Sequence, residues 1–206
     1  MKANVKRYVM SETPYARHIE KHFDKFVGEH DNVLHEKVSQ YVHTDVHIIQ
    51  PTNERQYYTL YTTGMSGLPM CKDKDIKYAE LVMFLPMDAN LVGDIYIPSN
   101  KYARVILDLI NNTKFPFAHS EPLLARHDIL HNSGHKYEAG IFLSLADKEW
   151  QSIDVYGDKI NLYVYYPITK NELQQEVYKD LDKFLMKRFG KTDGFTPEDL
   201  IIRSDV

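Results

Sequence analysis

The 206-residue sequence lacks most features that would assign it to a specialised class of protein. It has one cysteine, Cys71, so no disulfide framework forms within the chain and a reducing compartment is favoured. It has no run of about 18 apolar residues, which excludes a membrane-spanning helix. Its first residues have no apolar segment typical of a signal peptide. These absences predict a cytoplasmic protein with no membrane partner.

The sequence also lacks a block of basic residues. Its 25 Lys and Arg and 29 Asp and Glu give a net charge of −4, so nucleic acid is not the expected partner. The acidic excess is too small to identify a basic partner. Aromatic residues are frequent, with 15 Tyr and 9 Phe. They favour β-strands and, where exposed, contacts with other proteins.

Apolar residues at helical spacing predict three helices around a strand-rich core. The first begins at a Thr13 cap and ends at Gly28, the second spans residues 101–112, and the third runs from a capping box at Thr169–Glu172 to Gly190. The predicted strands are residues 33–38, 45–50, 56–63, 78–85, 139–145, 152–156 and 160–166. A hairpin turn is expected at residues 156–160.

The run Leu81–Leu85 has no polar alternation, which predicts that both faces of the sheet are covered. We therefore expect an α/β (α+β) fold, in which helices cover a mixed β-sheet. A single domain should span residues 1–206, with its core at about 14–189 and a polar tail at 191–206. Within the tail, Leu200–Ile202 is expected to dock on the body. Residues 115–137, which include the histidine-rich segment His119 to His135, are predicted to be mostly loop.

The strongest candidate for catalysis is Gly64-Met65-Ser66-Gly67, at the end of the third strand. A hydrolase nucleophile elbow is Gly-x-Ser-x-Gly between a strand and a helix. Here the second glycine comes one residue early, and residues 68–73 are a poor helix start. The chain also lacks a glycine-rich phosphate loop. A shaped turn is therefore favoured, with a hydrolase that pairs Ser66 with a histidine of the 127–135 loop as the alternative.

Histidines provide weak candidates for a metal site. The spacing of His127–His135 is helical, but Asn132–Gly134 interrupts the helix. His43 and His47 share one face of a strand but lack a third ligand. Cys71 lies beside Lys72, and the sequence shows no histidine partner for a thiolate. The sequence therefore predicts no metal and no cofactor, and a metal-dependent regulator is a further alternative.

Two other side chains are candidates for a functional role. Glu80 shares a strand face with Val82 and Phe84, so its carboxyl is expected to point towards the core. A buried carboxylate belongs more often to a structural network than to a functional site, and we favour the structural role. Trp150, the only tryptophan, lies between two strands. It either packs at the rim of the core or anchors a partner.

Three motifs follow one another between residues 38 and 86. They are an Asp45-x-His47 strand that stops at Pro51-Thr52, then Thr-x-Gly64-Met65-Ser66, then Tyr78-Ala-Glu80-Leu in a strand that stops at Leu85-Pro86. In this order they resemble the suppressor-of-fused domain, most closely its bacterial members. The resemblance covers about residues 14–189. It includes Asp45, His47, Pro51, Gly64, Ser66 and Gly67 as residues that shape the fold.

The resemblance implies a non-enzymatic domain that binds other proteins. Animal members restrain a transcription factor in the cytoplasm, and bacterial members resemble immunity proteins that neutralise toxins. This chain is too short for the second domain of the animal proteins, so the groove between their two domains is not carried over. The leading hypothesis is an immunity protein, or antitoxin, that covers a toxin by stoichiometric binding. A general regulator or scaffold is the alternative. The candidate partner-binding residues are Tyr57, Tyr61, Met65, Glu80 and Trp150.

Overall fold

A computed structural model of the protein describes residues 14–35, 43–69, 77–91, 102, 105–106, 124–126, 137–177 and 179–202. The strands are β1 (Asn32–His35), β2 (Asp45–Ile49), β3 (Tyr57–Thr63), β4 (Tyr78–Pro86), β5 (Leu124–Arg126), β6 (Tyr137–Leu143), β7 (Ser152–Val155) and β8 (Asp158–Thr169). The helices are α1 (Ala16–Phe26), α2 (Lys170–Glu172), which continues as a π-helical turn (Leu173–Val177), and α3 (Leu181–Phe189). Short 3₁₀ turns span Met65–Gly67, Met87–Ala89, Lys148–Trp150 and Glu198–Leu200.

The strands form one mixed sheet in the order β1-β2-β3-β4-β8-β6-β5, and β7 also pairs with β8. β4 and β8 run parallel, and the other pairs are antiparallel. This confirms the predicted sheet core. The prediction of mostly loop at residues 115–137 is wrong at Leu124–Arg126, which pairs with β6. The rest of the segment that precedes Tyr137, including its histidines, lies outside the described residues.

Both faces of the sheet are covered, as the apolar run in β4 predicted. Val82 and Phe84 lie in a core cluster with residues of α1 and α3. The alternate residues Leu81, Met83 and Leu85 lie in a second cluster on the opposite face. That second cluster includes three helical residues from the predicted 101–112 helix, namely Tyr102, Val105 and Ile106. The rest of that helix lies outside the described residues.

The first helix begins later than the sequence predicted. Tyr15 is its N-cap and makes no side-chain capping bond, while Thr13 lies outside the described residues. Ile19 and Phe23 are buried as expected, because they lie on the face that packs against the sheet. Phe26 belongs to the predicted apolar stripe, yet it is 38% exposed. Within the described part of the chain, no helix is long and apolar enough to span a membrane.

The predicted C-terminal helix is broken in the middle. Its capping box forms: the Thr169 N–H donates to Glu172 Oε2 at 2.8 Å, and the Glu172 N–H donates to Thr169 Oγ1 at 3.1 Å. The chain then passes through the π-helical turn and starts α3 at Asp180, whose carboxylate caps the Lys183 N–H at 2.9 Å. Gly190 ends α3 with φ +74°, as predicted.

The C-terminal tail docks on the sheet, as expected. Leu200 is fully buried, and the Ile202 N–H donates to the Phe84 carbonyl oxygen at 3.0 Å. Ile201 forms a parallel bridge with Phe84. The tail therefore bonds to β4 at Phe84, beyond Val82, where the described pairing of β4 with β8 ends.

Candidate functional site

The most polar part of the interior surrounds the carboxylate of Glu80, which is fully buried. Its Oε1 accepts hydrogen bonds from the backbone N–H of Gly64 at 3.0 Å, the N–H of Ser66 at 2.9 Å and the Ser66 hydroxyl at 2.6 Å. Its Oε2 accepts from the Thr62 hydroxyl at 2.6 Å. Glu80 therefore ties the end of β3 and the following turn to β4. We call these four residues the Glu80 network.

The network lies where β3 and β4 separate. Their described pairing ends at Tyr61 and Val82, and the N–H of Leu81 donates to the Thr62 hydroxyl at 2.8 Å. The chain then turns at Gly64, whose φ is +117°. A Cβ at Gly64 would overlap the His43 carbonyl oxygen, so the turn requires glycine.

Burial and hydrogen bonding act in opposite directions on Glu80. Burial raises the pKa of its carboxyl and the four donors from Ser66, Thr62 and Gly64 oppose that rise, so that the resulting pKa is about 7. Such a group titrates close to neutral pH. It has no exposed surface through which to exchange a proton with a substrate, so this geometry supports the structural role that the sequence favoured.

Ser66 does not have the environment of a hydrolase nucleophile. Its side chain is fully buried, and its hydroxyl donates to a carboxylate and not to a histidine base. The turn Met65–Gly67 is one 3₁₀ turn, and the backbone at Leu68 is already extended, so no long helix follows the serine. The second partner of that alternative, a histidine between 127 and 135, lies outside the described residues.

His47 forms a second buried polar feature on β2. Its ring stacks on Tyr61 with centroids 4.7 Å apart, and Tyr61 stacks on Phe23 of α1 at 3.9 Å. The Nε2 of His47 lies 2.9 Å from the Thr63 hydroxyl. Burial lowers the pKa of His47 to about 4, with the nearby His30 acting in the same direction. His47 is therefore a neutral core residue at physiological pH.

The candidate partner-binding residues all lie in the interior. Tyr61, Met65 and Glu80 are fully buried, Tyr57 is 6% exposed and Trp150 is 8% exposed. Tyr57 and Tyr61 lie in the core cluster that includes Ile19 and Phe23 of α1, so this face of β3 is covered and not exposed. Trp150 takes the core-rim position, where its ring packs edge-on against Phe23 at 5.9 Å and Phe84 at 5.4 Å. In this conformation these side chains offer a partner almost no surface.

The motif residues have local structural roles. Asp45 begins β2, and Pro51 follows its end. Gly67 closes the 3₁₀ turn by donating its N–H to the Gly64 carbonyl oxygen at 2.9 Å. With Ser66 and Glu80, they place the three ordered motifs on the adjacent strands β2, β3 and β4.

Comparison with known proteins agrees with this arrangement. The family model described as Suppressor of fused protein (SUFU) matches residues 40–198, which is more than half of the chain. The chain belongs to the suppressor of fused family. This confirms the family that the ordered motifs predicted, and the Glu80 network is where two of those motifs meet.

Two solved structures share the fold of this SUFU domain. The crystal structure of the Sufu–Fu complex matches with a TM-score of 0.57 and 11% identity, over 95% of this chain and 91% of that chain. A SUFU homolog from Neisseria gonorrhoeae FA 1090 matches with a TM-score of 0.52 and 14% identity, over 93% of this chain and 97% of that chain. At these identities the likeness shows the fold alone. A comparison with curated proteins finds no significant match.

The structure reveals a partly exposed aromatic surface that the sequence analysis missed, in which Tyr156 and Phe26 are exposed and two histidines are half-buried. His18, His22 and Phe26 follow one another at four-residue spacing on α1, so they share one helix face. The ring of Tyr156, on the β7–β8 turn, packs edge-on against His18 at 4.8 Å. His22 lies 6.0 Å from Phe26. We call these four residues the aromatic strip. The four-residue spacing of His18, His22 and Phe26 can be read from the sequence. The contact between His18 and Tyr156 depends on the tertiary structure.

Tyr156 is the most exposed residue of the aromatic strip, with 80% of its surface accessible. Its φ is +54° and that of Gly157 is +86°, as in the two-residue hairpin turn that the sequence predicted. Asn, Asp and Gly are the usual residues at the first of these positions, and a bulky side chain there is an outlier. The turn therefore holds a large aromatic ring in solvent at an energetic cost of about 1–2 kcal/mol.

Proposed function

We propose that this SUFU domain is a non-enzymatic protein-binding domain whose partner docks on the aromatic strip. The observation that carries the proposal is Tyr156, an exposed ring held on a backbone conformation that its residue type disfavours. Strain of this kind clusters at binding sites, and tyrosine is enriched among the residues that dominate binding energy. The recorded complex of Sufu with Fu supports a protein as the class of partner.

We further propose that the partner is a toxin and that binding neutralises it in the cytoplasm by covering its active cleft. The resemblance to bacterial immunity proteins supports this identity, and the single cysteine supports a reducing compartment. Tight inhibition of this kind needs an interface of roughly 1,600 Å². The aromatic strip would form its centre, because energetically dominant residues lie centrally and are surrounded by contacts that exclude water.

The first experiment uses wild type, Tyr156→Asn and Met87→Asn as bait proteins in pull-downs from lysate of the native cell. Tyr156→Asn removes the ring and suits the positive φ, so the fold should keep its stability or gain up to about 1 kcal/mol. Met87→Asn is the matched control, because Met87 is a 62% exposed apolar side chain on the turn after β4, is not part of the aromatic strip and contributes no ring. Wild type and Met87→Asn should capture the same partner at a ratio of one to one.

Tyr156→Asn should weaken that complex by about 30-fold or more in Kd, since a dominant interface residue contributes at least about 2 kcal/mol. Equal affinity of all three forms, with unchanged circular dichroism, would refute the aromatic strip as the binding surface. The captured partner is then expressed in a heterologous host. A toxin should arrest growth, and co-expression of the wild-type domain but not Tyr156→Asn should restore it. A harmless partner would refute the toxin assignment and leave a general regulator or scaffold.

A further inference from the structure

A cluster of three metal-ligating side chains lies on the β1–β2 edge of the sheet, apart from the aromatic strip. The Oδ1 of Asp45 is 2.9 Å from His43 Nε2 and 3.1 Å from His35 Nδ1. The three ligand atoms all lie within 4.8 Å of one another. The His35 side chain is 68% exposed, and those of His43 and Asp45 are 24% and 21% exposed. The cluster therefore opens to solvent on the His35 side.

Strand geometry brings these residues together. His35 of β1 and Asp45 of β2 are direct cross-strand partners in the antiparallel register. His43 precedes Asp45 by two residues, just before β2 begins, and its Nε2 lies 2.9 Å from Asp45 Oδ1. The sequence had paired His43 with His47 and lacked a third ligand. The missing ligand, His35, comes from the neighbouring strand.

The carboxylate at the centre of the cluster is not satisfied by hydrogen bonds. Asp45 Oδ1 is shielded from solvent and, among the described residues, accepts no hydrogen bond of acceptable geometry. Two ring nitrogens nevertheless lie within 3.1 Å of it. A solvent-shielded acceptor without a donor destabilises the folded state. A cation bound between the three atoms would remove that cost, because each lone pair would then point at a positive charge.

From this arrangement we propose that His35, His43 and Asp45 form a zinc-binding site. Two imidazoles and one carboxylate are ligands that Zn²⁺ accepts, at about 2.0–2.2 Å each. Ligand atoms at those distances lie about 3.4 Å apart in a tetrahedral site, close to the observed separations from Asp45 Oδ1. The ion would join the edge strand β1 to β2. Its fourth position would face solvent and hold water.

The test uses untagged protein stripped with a chelator, because a histidine tag itself binds zinc. Zinc uptake is measured against a chromophoric chelator, and Co²⁺ substitution reports the geometry through visible absorption. Wild type should bind one Zn²⁺ per chain, melt at a higher temperature with zinc, and give the intense absorption of tetrahedral Co²⁺. His30→Asn is the matched control: His30 lies on the same side of the sheet, contacts His47, and is outside the ligand set.

Asp45→Asn and His35→Asn should each weaken zinc binding by more than about tenfold, since loss of an outer partner alone weakens it by about 10–100-fold. His35→Asn keeps the test falsifiable if Asp45→Asn disturbs the fold, because the His35 side chain is mostly in solvent. Zinc affinity unchanged in His35→Asn would overturn the proposal. So would wild-type protein that takes up no zinc, in which case the three residues form histidine–carboxylate ion pairs only.

Discussion

Replacement of Glu80 by glutamine tests how the buried carboxylate contributes to stability. The glutamine Oε1 keeps the three donors from Gly64 and Ser66, and its amide faces the Thr62 hydroxyl. That hydroxyl already accepts from the Leu81 N–H, so its own proton loses its acceptor. This loss is independent of pH and should destabilise the variant by about 1 kcal/mol.

The dependence on pH is the larger effect. The pKa of Glu80 rises from an ordinary 4.5 to about 7 in the folded protein. Between these values the unfolded chain is ionised at this position while the folded protein stays protonated, so wild-type stability falls as pH rises. At about 1.4 kcal/mol per pH unit, the full decrease is about 3 kcal/mol. Glu80→Gln cannot ionise and lacks this decrease. Relative to wild type, the variant should therefore gain about 3 kcal/mol between pH 4 and pH 8.

His47 makes the same experiment more informative. Its pKa falls from an ordinary 6.5 to about 4 on folding, so the unfolded chain binds the extra proton between these values. Stability from His47 is therefore present above pH 6.5 and is lost as pH falls towards 4, again by about 3 kcal/mol. In wild type the two contributions nearly cancel. Glu80→Gln retains only the contribution of His47. The free energy of unfolding of this variant should therefore increase as pH rises from 4 to 6.5.

The assay is urea unfolding from pH 4 to 8, monitored by far-UV circular dichroism. Glu54→Gln is the control, because Glu54 is an exposed carboxyl in the β2–β3 connection. The control should follow the wild-type profile throughout. A constant difference between Glu80→Gln and wild type would refute the reasoning. A difference that shifts in favour of wild type as pH rises would show that the four donors outweigh burial and hold the carboxylate ionised.

Three further outcomes follow from the described interior. His47→Phe should remove the His47 contribution and leave that of Glu80 unopposed, so the stability of the variant should fall by about 3 kcal/mol as pH rises from 4 to 7 in the same urea assay, and a profile as flat as that of wild type would refute this. Gly64→Ala should destabilise by about 3 kcal/mol or more in thermal unfolding, since its φ alone costs ~1–3 kcal/mol and its Cβ meets the His43 carbonyl. Native protein should not react with a serine-directed phosphonate, because Ser66 is fully buried, and stoichiometric labelling at Ser66 would restore the hydrolase hypothesis.

Local patterns in the sequence determined much of the fold. The Thr169–Glu172 capping box, the Tyr156–Gly157 hairpin turn and the apolar run of β4 each depend on neighbours within a few residues. The capping box satisfies free N–H groups at a helix start, and the hairpin turn needs two residues with positive φ. The apolar run is typical of a strand that is buried on both faces. Each of these signals can be read from a few consecutive residues. The inward direction of Glu80 followed from strand alternation alone. The ordered motifs of β2, β3 and β4 were sufficient to predict the family.

Only the tertiary structure decided which elements cover each face of the sheet and which distant residues meet. Alternation places Tyr57 and Tyr61 on one face of β3, but the packing of α1 against that face decides that they are buried. His35 meets His43 and Asp45 only because β1 pairs with β2 in one register. Sequence spacing specifies the direction of a side chain from its own backbone. Its neighbours are set by the packing of other elements, which is why the sequence alone does not reveal the burial of Tyr57 and Tyr61 or the approach of His35 to Asp45.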